Sequence, residues 1–90
     1  MPTVRIPTPL RKYTQGQDQV EVRGSVLREV LEQLDADFAG IGERIRDDKG
    51  EIRRFVNVFV GDEDVRFLQG LDTPVAGNDE VSIIPAIAGG

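Results

Sequence analysis

Apolar and polar positions alternate near the start of the chain. Val4 and Ile6 are set among Thr3, Arg5 and Pro7, and Val20 and Val22 among Gln19, Glu21 and Arg23. Successive strand side chains point to opposite faces, so each stretch predicts a short strand with one buried face. Between them Thr14-Gln15-Gly16-Gln17-Asp18 is rich in turn formers. The pair therefore predicts a β-hairpin with a longer loop. The period then changes. Val26, Leu27, Val30, Leu31, Leu34 and Phe38 fall on one stripe of a 3.6-residue helix. Ser25 is its expected N-cap, and Gly40 is placed to end it.

The stretch 39–54 is polar and irregular. A turn is expected at Asp47-Asp48-Lys49-Gly50, and Ile41 and Ile45 are expected to tack the stretch to the core. Residues 55–60 form the clearest strand. Gly61-Asp62-Glu63-Asp64 reads as a turn and Val65-Arg66-Phe67 as a short return strand. Leu71 and Val75 anchor a connection over 71–78, and residues 79–84 make the last strand. The order is β-β-α-β-β-β, with no room for a second helix. It predicts an α+β fold: a mixed sheet of four to five strands, one main helix across one face, and the last strand beside the first. This is the order of the ubiquitin-like β-grasp roll.

The strand at 55–60 has Val56, Val58 and Val60 on one face and Phe55, Asn57 and Phe59 on the other. The helix covers only one side. The second face is then an exposed apolar patch fit for binding, unless the 39–54 stretch folds back over it.

Composition changes this picture mainly by exclusion. Ninety residues allow one domain with a small core, and 39% hydrophobic with 30% charged residues is ordinary for a folded chain. There is no cysteine and no histidine, which removes disulfides, the usual zinc sites and Cys-His or Ser-His-Asp chemistry. The net charge of −5, without a lysine- or arginine-rich stripe on any segment, disfavours nucleic acid and anionic membranes and favours a basic protein partner. No run approaches the roughly 20 apolar residues of a membrane span. Residues 1–5 carry no apolar signal core, so the expected location is cytoplasmic.

Three local patterns imitate sites. Asp35-Ala36-Asp37-Phe38-Ala39-Gly40 begins like a calcium loop, but Ala39 and Arg46 stand where ligands belong, so helix surface is expected. Gly40-Ile41-Gly42 follows a helix rather than a strand, so it lacks the geometry of a phosphate loop. Asp62-Glu63-Asp64 reads as a solvated hairpin tip.

The end of the sequence is different. Residues 1–85 are expected to be the folded domain. Residues 86–90, Ala86-Ile87-Ala88-Gly89-Gly90, are expected to be a flexible tail. A tail of slim residues can pass through a narrow channel into another protein. Fixing five residues there costs about 5–10 kcal/mol at roughly 1–2 kcal/mol each. Contacts from Ile87, Ala88 and the apolar sheet face are expected to offset that cost. Alternation puts Val81 and Ile83 inward and Ile84 outward.

Residues 54–66 and 79–90 closely resemble the ThiS/MoaD family of sulfur carriers, as does Ile6-Pro7-Thr8-Pro9-Leu10-Arg11. Within the family the likeness is greatest to the CysO type, which is linked to cysteine biosynthesis. The resemblance spans essentially the whole chain. It implies a carrier without an active site or bound cofactor of its own. An E1-like adenylyltransferase and sulfurtransferase of the MoeB/ThiF type would use ATP to adenylate the carboxylate of Gly90. Sulfur would then replace the adenylate to leave a thiocarboxylate. A sulfur-accepting enzyme such as a cysteine synthase would consume it, and a metalloprotease would release the new cysteine. Gly89 and Gly90 would carry the chemistry. Phe59, Ile84, Pro85, Ala86, Ile87 and Ala88 would meet the partner. Molybdopterin or thiazole synthesis remains open as the destination. So do a ubiquitin-like modifier joined to lysine through Gly90, and a plain interaction domain.

Overall fold

The computed structural model describes residues 1–85. Five strands form one mixed sheet: β1 (Thr3–Arg5), β2 (Gln19–Glu21), β3 (Val56–Val60), β4 (Glu63–Asp64) and β5 (Glu80–Pro85), in the order β2-β1-β5-β3-β4. The last strand lies parallel to β1 and antiparallel to β3, so it occupies the centre of the sheet. This is the ubiquitin-like β-grasp expected from the element order.

Helix α1 (Leu27–Asp37) crosses one face and buries Leu27, Val30, Leu31 and Leu34. Facing them are the inward residues of the sheet, among them Val4, Val20, Val58, Val81 and Ile83. Phe38 packs at the edge of this core rather than inside it. Ile41 and Ile45 are buried as expected, and so is Val75, while Leu71 packs against the core part-buried.

Local structure departs from the sequence reading in four places. Val26, not Ser25, is the N-cap of α1, and no side chain caps that helix. Instead the Glu29 carboxylate reaches back and accepts from the Ser25 N–H and the Ser25 hydroxyl, both at 2.9 Å. The bond to the Ser25 N–H resembles the reciprocal half of a capping box moved one residue outward, to the position before the cap, and it holds the Glu29 carboxyl below its ordinary range. Gly40, at φ +100°, lies two residues beyond the Phe38 cap. Second, there is room for another helix: α2 (Gly42–Ile45), a single turn that seats Ile45. Third, Thr8–Tyr13 is a 3-10 segment with Pro9 in its first turn, inside what read as a hairpin loop. Fourth, Val65–Phe67 is also 3-10, and the return strand is Glu63–Asp64. The Asp64 carboxylate accepts from the Arg66 N–H at 2.9 Å, which turns the chain out of the ladder.

The hairpin at 47–50 closes as expected, with the Gly50 N–H on the Asp47 carbonyl and Gly50 at φ +83°. Among the described residues no helix is long and apolar enough to cross a membrane.

Candidate functional site

The sheet face away from α1 is read directly from the register. Residues opposite one another share a face, so Gln19, Arg5, Ser82, Phe59 and Asp64 form one row. Glu21, Thr3 and Glu80 form the next row on one side, and Asn57 with Ile84 the next on the other. Ile84 is 49% exposed, while Val81 and Ile83 are buried, so the expected alternation along β5 holds. Phe59 is half-buried and is a diagonal neighbour of Ile84.

This face is less apolar than the β3 sequence suggests. Phe59 and Ile84 form an apolar spot, and Phe55 stands exposed just before β3. Around them lie Asn57, Ser82, Thr3, Arg5, Gln19 and Glu21. The 39–54 stretch does not cover the spot. It packs beside α1, where Asp35 Oδ1 accepts from the Gly42 N–H at 2.8 Å. The apparent calcium ligand Asp35 therefore anchors α2.

A residue with no sequence signal organises one end of this face. Arg66 donates from Nη1 to Asn57 Oδ1 at 2.6 Å. Its Nη2 reaches the carbonyls of Val56 at 2.8 Å, Arg53 at 3.1 Å and Arg54 at 3.3 Å. Val56 pairs with Pro85, and Asn57 with Ile84. One guanidinium thus fixes the strand beside the point where β5 gives way to the tail. The planar guanidinium spreads five donors over a fixed fork and can span these acceptors, whereas a lysine ammonium carries only three donors on a single nitrogen.

The same end carries a shallow cleft of about 240 Å³ lined by Arg5, Ile6, Pro7, Arg11, Ile84 and Pro85, among others. Pro85 itself is half-buried. The remaining expected site residues, Ala86, Ile87, Ala88, Gly89 and Gly90, lie outside the described residues. Among the described residues there is no group of acidic side chains arranged to hold a metal ion. The hairpin acids Glu63 and Asp64 pair with Val60 and Phe59 at the end of β3 and do not line the cleft.

The ThiS family model matches residues 4–90, nearly the whole chain and the tail with it. The chain belongs to the ThiS family. A ThiS-family relative, the sulfur carrier protein CysO of Mycobacterium tuberculosis, is 50% identical over 90 residues, covering 98% of this chain and 97% of the relative. A chain in the crystal structure of the Amycolatopsis orientalis BexX/CysO complex superposes with a TM-score of 0.94 at 42% identity, over 100% of both chains. The solution structure of small archaeal modifier protein 1 from Methanosarcina acetivorans matches at a TM-score of 0.84 and 25% identity, over 99% of this chain and 95% of that one. The same β-grasp fold therefore occurs in proteins named as carriers and in proteins named as modifiers.

Proposed function

We propose that this chain is a sulfur carrier and not an enzyme. The observation that carries the reading is the near-full-length match to CysO, together with the family match, which runs through Gly89 and Gly90. The fold supplies a physical rationale. The central strand ends at Pro85, next in sequence to residues 86–90, and Ile84 and Phe59 offer an apolar spot beside its end.

In this reading the Gly90 carboxylate attacks the α-phosphate of ATP held by an E1-like adenylyltransferase. Pyrophosphate leaves and an acyl adenylate forms. A sulfur nucleophile then displaces AMP and leaves a thiocarboxylate at Gly90. A carboxylate is a poor acyl donor, and the adenylate gives it a good leaving group. Slim Gly89 and Gly90 let the carboxylate reach the nucleotide, while Ile84, Pro85, Ala86, Ile87, Ala88 and Phe59 supply docking contacts. Likeness to CysO favours a cysteine synthase as sulfur acceptor, with a metalloprotease freeing the product. This chemistry suits the cytoplasm, where ATP is available.

Intact-mass analysis of the chain from its own cells tests this. One oxygen-to-sulfur exchange localised to Gly90 is the expected result. The similarity to small archaeal modifier protein 1 keeps a second reading in view, conjugation to protein lysines. A Gly90–lysine isopeptide in place of the thiocarboxylate would favour it. A free carboxylate alone, even after incubation with the adenylating enzyme, ATP and a sulfur source, would overturn both.

A further inference from the structure

The chain is acidic overall, yet its charges are not spread evenly. All sixteen Asp and Glu residues fall outside residues 1–17, 52–61 and 81–90. The fold gathers these three acid-free stretches. They contain β1 with the 3-10 segment, β3 with its lead-in, and β5, all side by side in the middle of the sheet. Their cations collect at one end. Arg5 and Arg11 line the cleft against Ile84 and Pro85. Arg53 and Arg54 lead into Val56, which pairs with Pro85, and Arg66 is clamped across both of their carbonyls. Arg5, Arg11, Arg54 and Arg66 thus lie around the end of β5, while the Arg53 side chain turns away to the Glu43 carbonyl.

Acids collect at the other end of the same strands. Glu63 pairs with Val60, Val60 pairs with Val81, and Glu80 lies opposite Thr3 beside Glu21. Asp62 and Asp79 flank these positions in sequence. The central strands therefore run between an acidic pole and a basic one. Within the basic pole only Arg5 is in an ion pair among the described residues, with Glu80 at 3.6 Å. Arg11 uses Nε on the Ile6 carbonyl, which does not cancel its charge. Arg54 is exposed.

We infer that this arginine collar is a docking surface for an acidic protein rim surrounding the cleft that receives the tail. The inference deepens the carrier reading and rests on it. It also reverses the expectation drawn from net charge, because the partner-facing end has the opposite sign from the molecule as a whole. A chain with separated poles entering an acid-lined mouth is turned collar-first before contact, so the tail arrives ahead of the body. Such steering acts mainly on the encounter rate and weakens as salt rises.

The test is ATP–pyrophosphate exchange by the E1-like adenylyltransferase of the same cells, with this chain as the varied substrate. Arg54→Glu is compared with the Arg11→Glu/Arg54→Glu double variant, and Arg23→Glu, at an exposed residue beside α1, serves as a reversal outside the collar. Arg54→Glu is expected to raise KM about five- to tenfold and the double variant further, with kcat within about twofold. The wild-type KM should rise with salt, and that of the double variant should rise less. Arg54 makes no side-chain bond among the described residues, so its single variant separates charge from folding. An unchanged KM for Arg54→Glu, or an equal rise for Arg23→Glu, overturns the collar and leaves the carrier reading standing. No exchange with the wild-type chain overturns the carrier reading itself. Retained exchange with lost binding to a single-stranded oligonucleotide would reassign the collar to nucleic acid and overturn the inference.

Discussion

Gly24 has φ +151°, and a Cβ added there would stand 2.7 Å from both the Val30 Cγ2 and the Val30 N. Val30 is fully buried in the first turns of α1, so it cannot move aside cheaply. Gly24→Ala is expected to lower stability by about 1–3 kcal/mol through overpacking, read as a lower urea midpoint with an unchanged slope. A neutral result would mean that the β2–α1 connection relaxes freely. Ile84 is the opposite case. Its side chain stands on the open face, so Ile84→Asp should cost less than about 1 kcal/mol of stability. The same change should weaken binding to the adenylating partner at least severalfold in a direct titration. Unchanged affinity would remove the Ile84–Phe59 spot from the docking surface.

At the scale of elements, Arg66 ties three pieces together: the 3-10 segment at Val65–Phe67, the lead-in at 53–54 and the start of β3. Arg66→Ala is expected to cost about 1–3 kcal/mol, because the Asn57 amide oxygen and several carbonyls lose a charged donor together. Arg66→Lys should recover only a fraction of this. Amide hydrogen exchange should show faster opening at Val56 and Asn57 in both variants, and protection equal to wild type would sink the clamp. None of this was legible in the sequence, because the bonds join residues nine to thirteen apart with no periodic signature. Periodic elements fared better. The helical stripe and the alternation along β3 and β5 located the core and the outward Ile84. The short 3-10 segments and the single turn of α2 were missed or misread, because three to six residues complete no hydrophobic period. Val65-Arg66-Phe67 alternates like a strand, but the Asp64 side chain bonds the next turn and overrides that pattern. Ser25 looked like a helix cap, and the local hydrogen bond runs in the reverse sense.

For the whole molecule, the described core runs from Val4 to Ile83, and the slim residues 86–90 are expected from their sequence to be a tail outside it. Deleting 86–90 is therefore expected to leave the thermal midpoint within about 2 °C of wild type, since a surface change outside such features rarely exceeds about 0.5 kcal/mol. The same truncation should abolish chain-dependent ATP–pyrophosphate exchange. A large loss of stability would show that the tail packs on the domain. Exchange that survived would show that Gly90 is not the acceptor. The charge poles were hidden for a related reason. Acid-free stretches at 1–17, 52–61 and 81–90 are visible in the sequence, but only the strand order β2-β1-β5-β3-β4 makes them neighbours.

The central place of β5 has a mechanical consequence. A partner that grips residues beyond Pro85 and pulls along the strand loads the hydrogen bonds to β3 and β1 together, in shear. A strand at the sheet edge pulled sideways would instead come away rung by rung, like a zipper. The five paired positions with β3 and three with β1 therefore share the force. In the proposed carrier role, a handle beyond Pro85 would thus be attached to the strand best placed to bear the tension.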